Sequence, residues 1–180
     1  MKKILITGGS GFLGKELAMK LKSSNEVILG SRNNGLNRLA AEITGCETIP
    51  LDITSLESVK DAVSRYKPEI IIHAAATKYV DLSEKQPFEC IDVNILGSEN
   101  VARVSIDSGV KTVIGISTDK TAAPVGNIYG HTKAIMERLF SGLDGVGGTN
   151  FSCVRFGNIA WSTGSVFPIW KRMMESNNLI

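Results

Sequence analysis

Only three cysteines, Cys46, Cys90 and Cys153, occur among the 180 residues, an odd number, far apart and without a CxxC or Cys/His grouping. That spacing excludes a disulfide framework and a zinc site, and it fits a reducing compartment. The two histidines, His73 and His131, have no metal-ligand or nucleophile partner at a recognised spacing, so both are read as structural and no metal is expected. Long hydrophobic runs are also missing. After Lys2 and Lys3 the first apolar run is only Ile4 to Ile6, too short for a signal-peptide core or a membrane span. We therefore expect a cytoplasmic protein with no membrane partner. A net charge of +2, with acids and bases interleaved, leaves no clustered basic face and argues against a nucleic-acid partner. Repeats and low-complexity tracts are absent, and 43% hydrophobic with 21% charged residues is the composition of an ordinary globular domain.

What the chain does contain is alternation. Short apolar runs separated by stretches of helical periodicity predict an α/β fold, a Rossmann doubly wound parallel sheet with crossover helices. Strands are predicted at 3–7, 26–31, 47–51, 69–73, 111–117 and 150–155. One helix is predicted from Phe12 to Ser23, with Leu13, Leu17, Ala18 and Leu21 on one face, and another from Ser55, a capping residue, to Tyr66. A long helix is predicted from near Pro87 to Ser108, closed by Gly109, and a further one from about Ile128 to Phe140. The glycine-rich stretch from Ser141 to Asn150 reads as a surface connection. Residues 1–160 are expected to form a dinucleotide-binding domain that carries the catalytic residues. Residues 161–180, a loop followed by a helix through Met174, read as the start of a truncated substrate-binding region, so that the C-terminal substrate domain is expected to be largely absent. Trp161 and Trp170 read as packing residues.

Gly8-Gly9-Ser10-Gly11-Phe12-Leu13-Gly14 directly follows a predicted strand and directly opens a predicted helix. Backbone N–H groups at such a helix start face an anionic pyrophosphate. Gly8 allows the tight turn, Gly11 lets the backbone approach the phosphates, and Gly14 lets helix and strand pack closely, with Ser10, Phe12 and Leu13 completing the loop. NAD-preferring domains usually end the second strand with an acid for the ribose 2′-OH. This chain has Ser31-Arg32-Asn33 there. A hydroxyl beside a guanidinium suits a 2′-phosphate, which favours NADP over NAD, a solvated loop arginine being the alternative. Asp52-Ile53 after the third strand is placed to meet the adenine, although an Asp in a polar turn is equally common.

His73-Ala74-Ala75-Ala76 after the fourth strand, with Tyr129-x-x-x-Lys133 later, resembles the extended short-chain dehydrogenase/reductase family. Positions four apart share a helix face, so Lys133 can stand near the Tyr129 phenol and a cofactor ribose. A neighbouring cation lowers a phenol from its ordinary pKa of about 10, which makes Tyr129 a credible general base. The chain is similar, more closely, to the UDP-N-acetylglucosamine 4,6-dehydratases of polysaccharide and glycan biosynthesis. That likeness rests on Ser117-Thr118-Asp119-Lys120, Pro124, Asn127 to Lys133, Val154-Arg155-Phe156-Gly157-Asn158 and Gly164-Ser165-Val166, nearly the whole chain. Asp119-Lys120 is its most telling element, because sugar epimerases of the superfamily usually lack an acid/base pair there.

The resemblance implies an NADP-dependent lyase, a homo-oligomer that eliminates water from a UDP-sugar, with inversion at C5 favoured. It implies that Ala74 and Ala75 join the cofactor site. Tyr129 would take the 4-hydroxyl proton while the cofactor takes up the C4 hydride, Lys120 would remove the C5 proton, and Asp119 would protonate the departing 6-hydroxyl. Thr118 would hydrogen-bond the 4-oxygen, and Lys78, Asn94 and Asn158 would approach the substrate or support the catalytic helix. Lys78 as a solvated side chain and Asn94 as a local hydrogen-bonding residue are the plainer alternatives. Three positions depart from the pattern: the segment from Pro124 to Tyr129 is one residue longer, Trp161 stands where a glycine is expected, and Thr163 where a basic residue is expected. A nucleotide-sugar 4-epimerase, with the same Tyr129 and Lys133, and a non-catalytic dinucleotide-binding module are the rival readings.

Overall fold

Six parallel strands, β1 (Lys2–Thr7), β2 (Asn25–Ser31), β3 (Glu47–Pro50), β4 (Ile70–His73), β5 (Thr112–Thr118) and β6 (Asn150–Phe156), form one sheet in the order β3-β2-β1-β4-β5-β6. The structure is a computed structural model that describes residues 1–162 and 165–176. Strands covered on both faces must be apolar at nearly every position, and Ile4, Leu5 and Ile6 in β1, Val27, Ile28 and Leu29 in β2, and Ile71 and Ile72 in β4 are all buried. Ile4 lies opposite Val27 on one side and Ile70 on the other, which makes β1 the centre of the pairing. The chain reverses its direction of growth between β1 and β4, and a cleft opens at the carboxyl ends of the strands there.

Successive side chains divide between two cores. Leu5, Ile28 and Ile71 join Val59, Val63, Val101, Met136 and Phe140 on one face, and Ile4, Ile6, Val27, Leu29 and Ile72 join Ala18 and Ala40 on the other. The second group is supplied by α1 (Phe12–Leu21) and α2 (Asn34–Thr44), the first by α3 (Leu56–Tyr66), α6 (Gly97–Asp107) and α7 (Ile128–Leu143). The sheet is therefore doubly wound, as the alternation of runs predicts. Asn33 and Ser55 cap α2 and α3 by accepting from Leu36 N and Ser58 N.

Several predicted boundaries move. The long helix from Pro87 is three segments: α5 (Pro87–Ile91), a π-helical turn (Asp92–Leu96) and α6, ended by Gly109 at φ +70°. A short helix, α4 (Val80–Lys85), precedes it. α2 is not among the predicted helices; Leu36, Leu39, Ala40 and Ile43 recur with helical spacing, but Leu36, Leu39 and Ile43 stay about half exposed and the buried positions are Asn37, Ala40 and Thr44. α7 continues to Leu143, so only the remainder of the predicted connection is a loop.

α8 (Val166–Glu175) follows β6, and Phe167 on it stacks on Trp161 at 5.7 Å and meets the edge of Trp170 at 6.1 Å. These aromatics form a surface cluster rather than core, Trp161 being 60% exposed. Trp161 adopts φ +62°, a left-handed conformation that disfavours any side chain, which is the physical reason a glycine is expected at that position. Thr163 and Gly164 lie outside the described residues. No helix among the described residues is long and apolar enough to cross a membrane.

Candidate active site

Past Thr7 the chain turns immediately. Gly8 has φ +68°, and a Cβ on it would lie 2.7 Å from the amide nitrogen of Ala75, so the loop is pressed against the segment after β4. A Cβ on Gly14 would run into the backbone of Gly9, which closes the loop on the first turn of α1. Gly11 begins that helix and supplies no side-chain cap, so the N–H groups of the first turn are left for an anion. Gly8, Ser10, Gly11, Phe12, Leu13 and Gly14 all border a cleft of about 740 Å³. Ala74 and Ala75 border it from the β4 side.

The end of β2 is tied to this loop by hydroxyls. Ser31 donates to Asn37 Oδ1 at 2.6 Å, so its oxygen accepts from Ser10 at 2.6 Å. Asn37 in turn donates to the carbonyls of Ser31 and Ile49, both at 3.0 Å, joining β2 to β3. Ser31 and Arg32 line the cleft, and Arg32 pairs with Glu89 at 3.8 Å. Ile53 also lines it. Asp52 instead closes its own turn, its Oδ1 accepting from Thr54 N at 3.0 Å and Thr54 Oγ1 at 2.8 Å, as the plainer reading of an Asp in a polar turn has it. Asn100 on α6 holds that turn by donating to the Ile53 carbonyl at 2.9 Å.

His73 is wholly buried, and its hydrogen bonds fix its tautomer. Ser98 donates to the Asn94 carbonyl at 2.7 Å, so its oxygen must accept from His73 Nε2 at 3.0 Å. Nδ1 is then the acceptor for Thr7 Oγ1 at 2.9 Å, and Thr7 accepts from Ala75 N at 3.2 Å. Burial pushes the imidazole down to about 3, the Lys133 ammonium acting in the same direction. His73 is structural, as expected, and His131 is exposed on α7.

The reactive groups gather at the end of β5 and the start of α7. Thr118, Lys120, Tyr129, Lys133 and Asn158 all border the cleft. Lys120 Nζ lies 3.5 Å from Asp119 Oδ1 and 3.5 Å from Asn158 Oδ1. The backbone of the Asp119-Lys120-Thr121 turn sits directly on Gly130, where a Cβ would collide with the Lys120 carbonyl, so the longer segment after Pro124 does not carry the turn away from Tyr129. The Asp119 carboxylate is 59% exposed and turned to Thr118 Oγ1, which donates to it at 3.0 Å. That hydrogen bond and the Lys120 ammonium hold its carboxyl below the ordinary range.

The expected lowering of Tyr129 by Lys133 is not what the site shows. Burial raises the phenol, with the hydrogen bond to Thr118 opposing and the Asp119 carboxylate adding to the rise. Lys133, on the same helix face, is buried with its ammonium 3.1 Å from the Met136 sulfur, and desolvation lowers it to about 8. Lys78 lines the cleft beside Tyr79, 5.3 Å from its ring, and burial lowers its ammonium too. Asn94, in the π turn, accepts from Thr77 N at 2.9 Å and donates to Thr132 Oγ1 at 3.0 Å. Its side chain therefore ties the segment after β4 to α7.

Two residues of the site, Glu137 and Glu84, escape sequence reasoning. Glu137 on α7 takes two hydrogen bonds from Arg155 of β6, at 2.8 and 2.6 Å, and one from Thr121 at 3.3 Å, clamping the Asp119-Lys120-Thr121 turn to α7. Its position four residues after Lys133 is the only signal in the chain. Glu84 on α4 accepts from Ile128 N at 2.7 Å and Asn127 from Gly130 N at 2.7 Å, so the start of α7 is capped twice, once from its own N-cap and once from α4. Among the described residues no group of acidic, histidine or cysteine side chains could hold a metal ion.

Comparison with known proteins shows the family and agrees with the fold. A family profile described as polysaccharide biosynthesis protein matches residues 4–180. An inverting UDP-N-acetylglucosamine 4,6-dehydratase of Campylobacter jejuni is 36% identical over 98% of the chain, which spans 55% of that relative. A UDP-glucose 4-epimerase of Rickettsia typhi is 33% identical over 94% of the chain and 52% of its own length. Among solved structures, Pen from Bacillus thuringiensis superposes with a TM-score of 0.90 at 33% identity, over 98% of this chain and 56% of that one. The chain thus spans about half the length of these relatives.

Proposed function

Because the chain belongs to the polysaccharide biosynthesis protein family, within the extended short-chain dehydrogenase/reductases, we propose that it is a nucleotide-sugar 4,6-dehydratase. Its substrate is UDP-N-acetylglucosamine or a close analogue, and its cofactor NADP. The observation that carries this reading is Lys120, 3.5 Å from Asp119 and bordering one cleft with Tyr129. An elimination needs an acid and a base besides the group that handles the hydroxyl being oxidised, and these three residues supply that number.

The residues of the cleft fit a nicotinamide dinucleotide. Gly8, Gly11 and Gly14 leave the start of α1 bare for a pyrophosphate, Ser31 and Arg32 offer the cleft a hydroxyl and a guanidinium suited to a 2′-phosphate, and Ile53 offers an apolar edge for an adenine. The nicotinamide would supply reversible removal and return of a hydride. Tyr129 takes the proton of the sugar 4-hydroxyl, and Thr118 holds the 4-oxygen. Lys133, buried and lowered to about 8, holds positive charge on the inner side of Tyr129.

Once C4 is a ketone the C5 proton is acidic. Asp119 and Lys120 then share one proton between them: as an exposed pair they are carboxylate and ammonium, and as substrate excludes water the neutral pair is favoured. Lys120 takes the C5 proton, Asp119 gives its own to the departing 6-hydroxyl, and the pair returns to its ionic state. This accounts for an acid whose carboxyl is held low before substrate arrives. We also propose that inversion at C5 follows, in line with the name of the Campylobacter jejuni relative.

A 4-epimerase is the second reading, favoured by the 33% identity to the Rickettsia typhi protein. The two are separated by incubating the chain with NADP and UDP-N-acetylglucosamine and weighing the product. Loss of one water without net cofactor reduction is expected. An isomer of unchanged mass would establish the epimerase instead, and an unaltered substrate despite bound NADP would leave these 180 residues as a non-catalytic dinucleotide-binding module.

A further inference from the structure

Rossmann domains meet the ribose beside the adenine at the end of β2, usually with an acid of that strand. Here the strand ends Ser31-Arg32-Asn33, and the nearest carboxylate to Arg32 comes from elsewhere in the fold. Glu89 of α5, in the segment that follows β4 on the other side of β1, reaches to 3.8 Å from the guanidinium. Both side chains line the cleft, and they are 54% and 48% exposed, accessible to a ligand that enters it.

We propose that Glu89 sets the cofactor preference by holding Arg32 and competing with a 2′-phosphate for it. The inference rests on the reading of the cleft as a dinucleotide site. A cofactor without the phosphate leaves the pair intact and gives the Glu89 carboxylate a ribose hydroxyl to accept from, the role the missing β2 acid would play. A cofactor with the phosphate gains Arg32 only by drawing it away from Glu89, and its charge of nearly −2 is repelled by the carboxylate left behind. Wild type therefore separates NADP from NAD less sharply than Arg32 alone would.

The test is the affinity of the 180-residue chain for NADP and for NAD, by titration calorimetry without turnover. Glu89→Gln is expected to raise the NADP to NAD affinity ratio about fivefold at low salt, and less at high salt because the pair is half exposed. In Glu89→Gln combined with Arg32→Ala the gain should vanish, since no guanidinium remains to be released. An equal change for both cofactors, or none, overturns the role of Glu89 and leaves the cofactor reading standing. Binding of neither cofactor to wild type removes the cofactor reading and this inference with it.

Discussion

At the scale of single residues, the proposed chemistry rests on Lys120, whose carbonyl is wedged against Gly130 while its ammonium spans Asp119 and Asn158. Lys120→Ala removes the proposed base without touching the glycine loop. Its expected signature is loss of solvent deuterium incorporation at C5, by at least about a hundredfold, with NADP affinity unchanged. Retained exchange at C5 would show that another group takes that proton. That Thr118, Lys120, Tyr129 and Lys133 would border one cleft was legible in the sequence, because each lies in a local motif with a fixed spacing. Their electrostatics were not. Lys133 sits four residues from Tyr129 as expected, but which neighbour its ammonium meets depends on Met136 and on how deeply α7 is buried, neither of which a spacing contains.

At the scale of elements, strands and capped helices were readable wherever burial is apolar, and unreadable where it is polar. α2 buries Asn37 and Thr44 while its apolar stripe of Leu36, Leu39 and Ile43 stays half exposed, and the π turn buries Asn94, so at both places apolar spacing does not tell which residues are buried. Asn94 joins three segments, taking Thr77 N and giving to Thr132, the second bond buried and the first part-buried at the cleft. Asn94→Ala should cost about 3 kcal/mol, the cavity and the stranded Thr77 donor adding to each other, as read from urea unfolding. A loss below about 1 kcal/mol would mean that the π turn holds its shape without the side chain.

For the whole molecule, two buried cations-to-be shape how stability varies with pH. His73 falls from 6.5 to about 3 on folding and Lys133 from 10.5 to about 8. Both pKa values are depressed, so the unfolded chain binds more protons in each window and stability rises with pH there. The contribution of His73 is complete above pH 6.5 and is lost as the pH falls towards 3. That of Lys133 is complete only above 10.5 and is lost as the pH falls through about 8. Wild type should therefore lose up to about 1.4 kcal/mol per pH unit below 6.5 relative to His73→Phe, in paired denaturant titrations. Parallel pH curves for the two would contradict a neutral buried imidazole. The place of β1 at the centre of the sheet has a further consequence for a chain still leaving the ribosome. Its β2 partner follows directly, but His73, at the end of its β4 partner, is made 66 residues after Thr7. Until then the unpaired edge of Ile4-Leu5-Ile6 faces outward, so the nascent protein is most prone to aggregate through its own first strand.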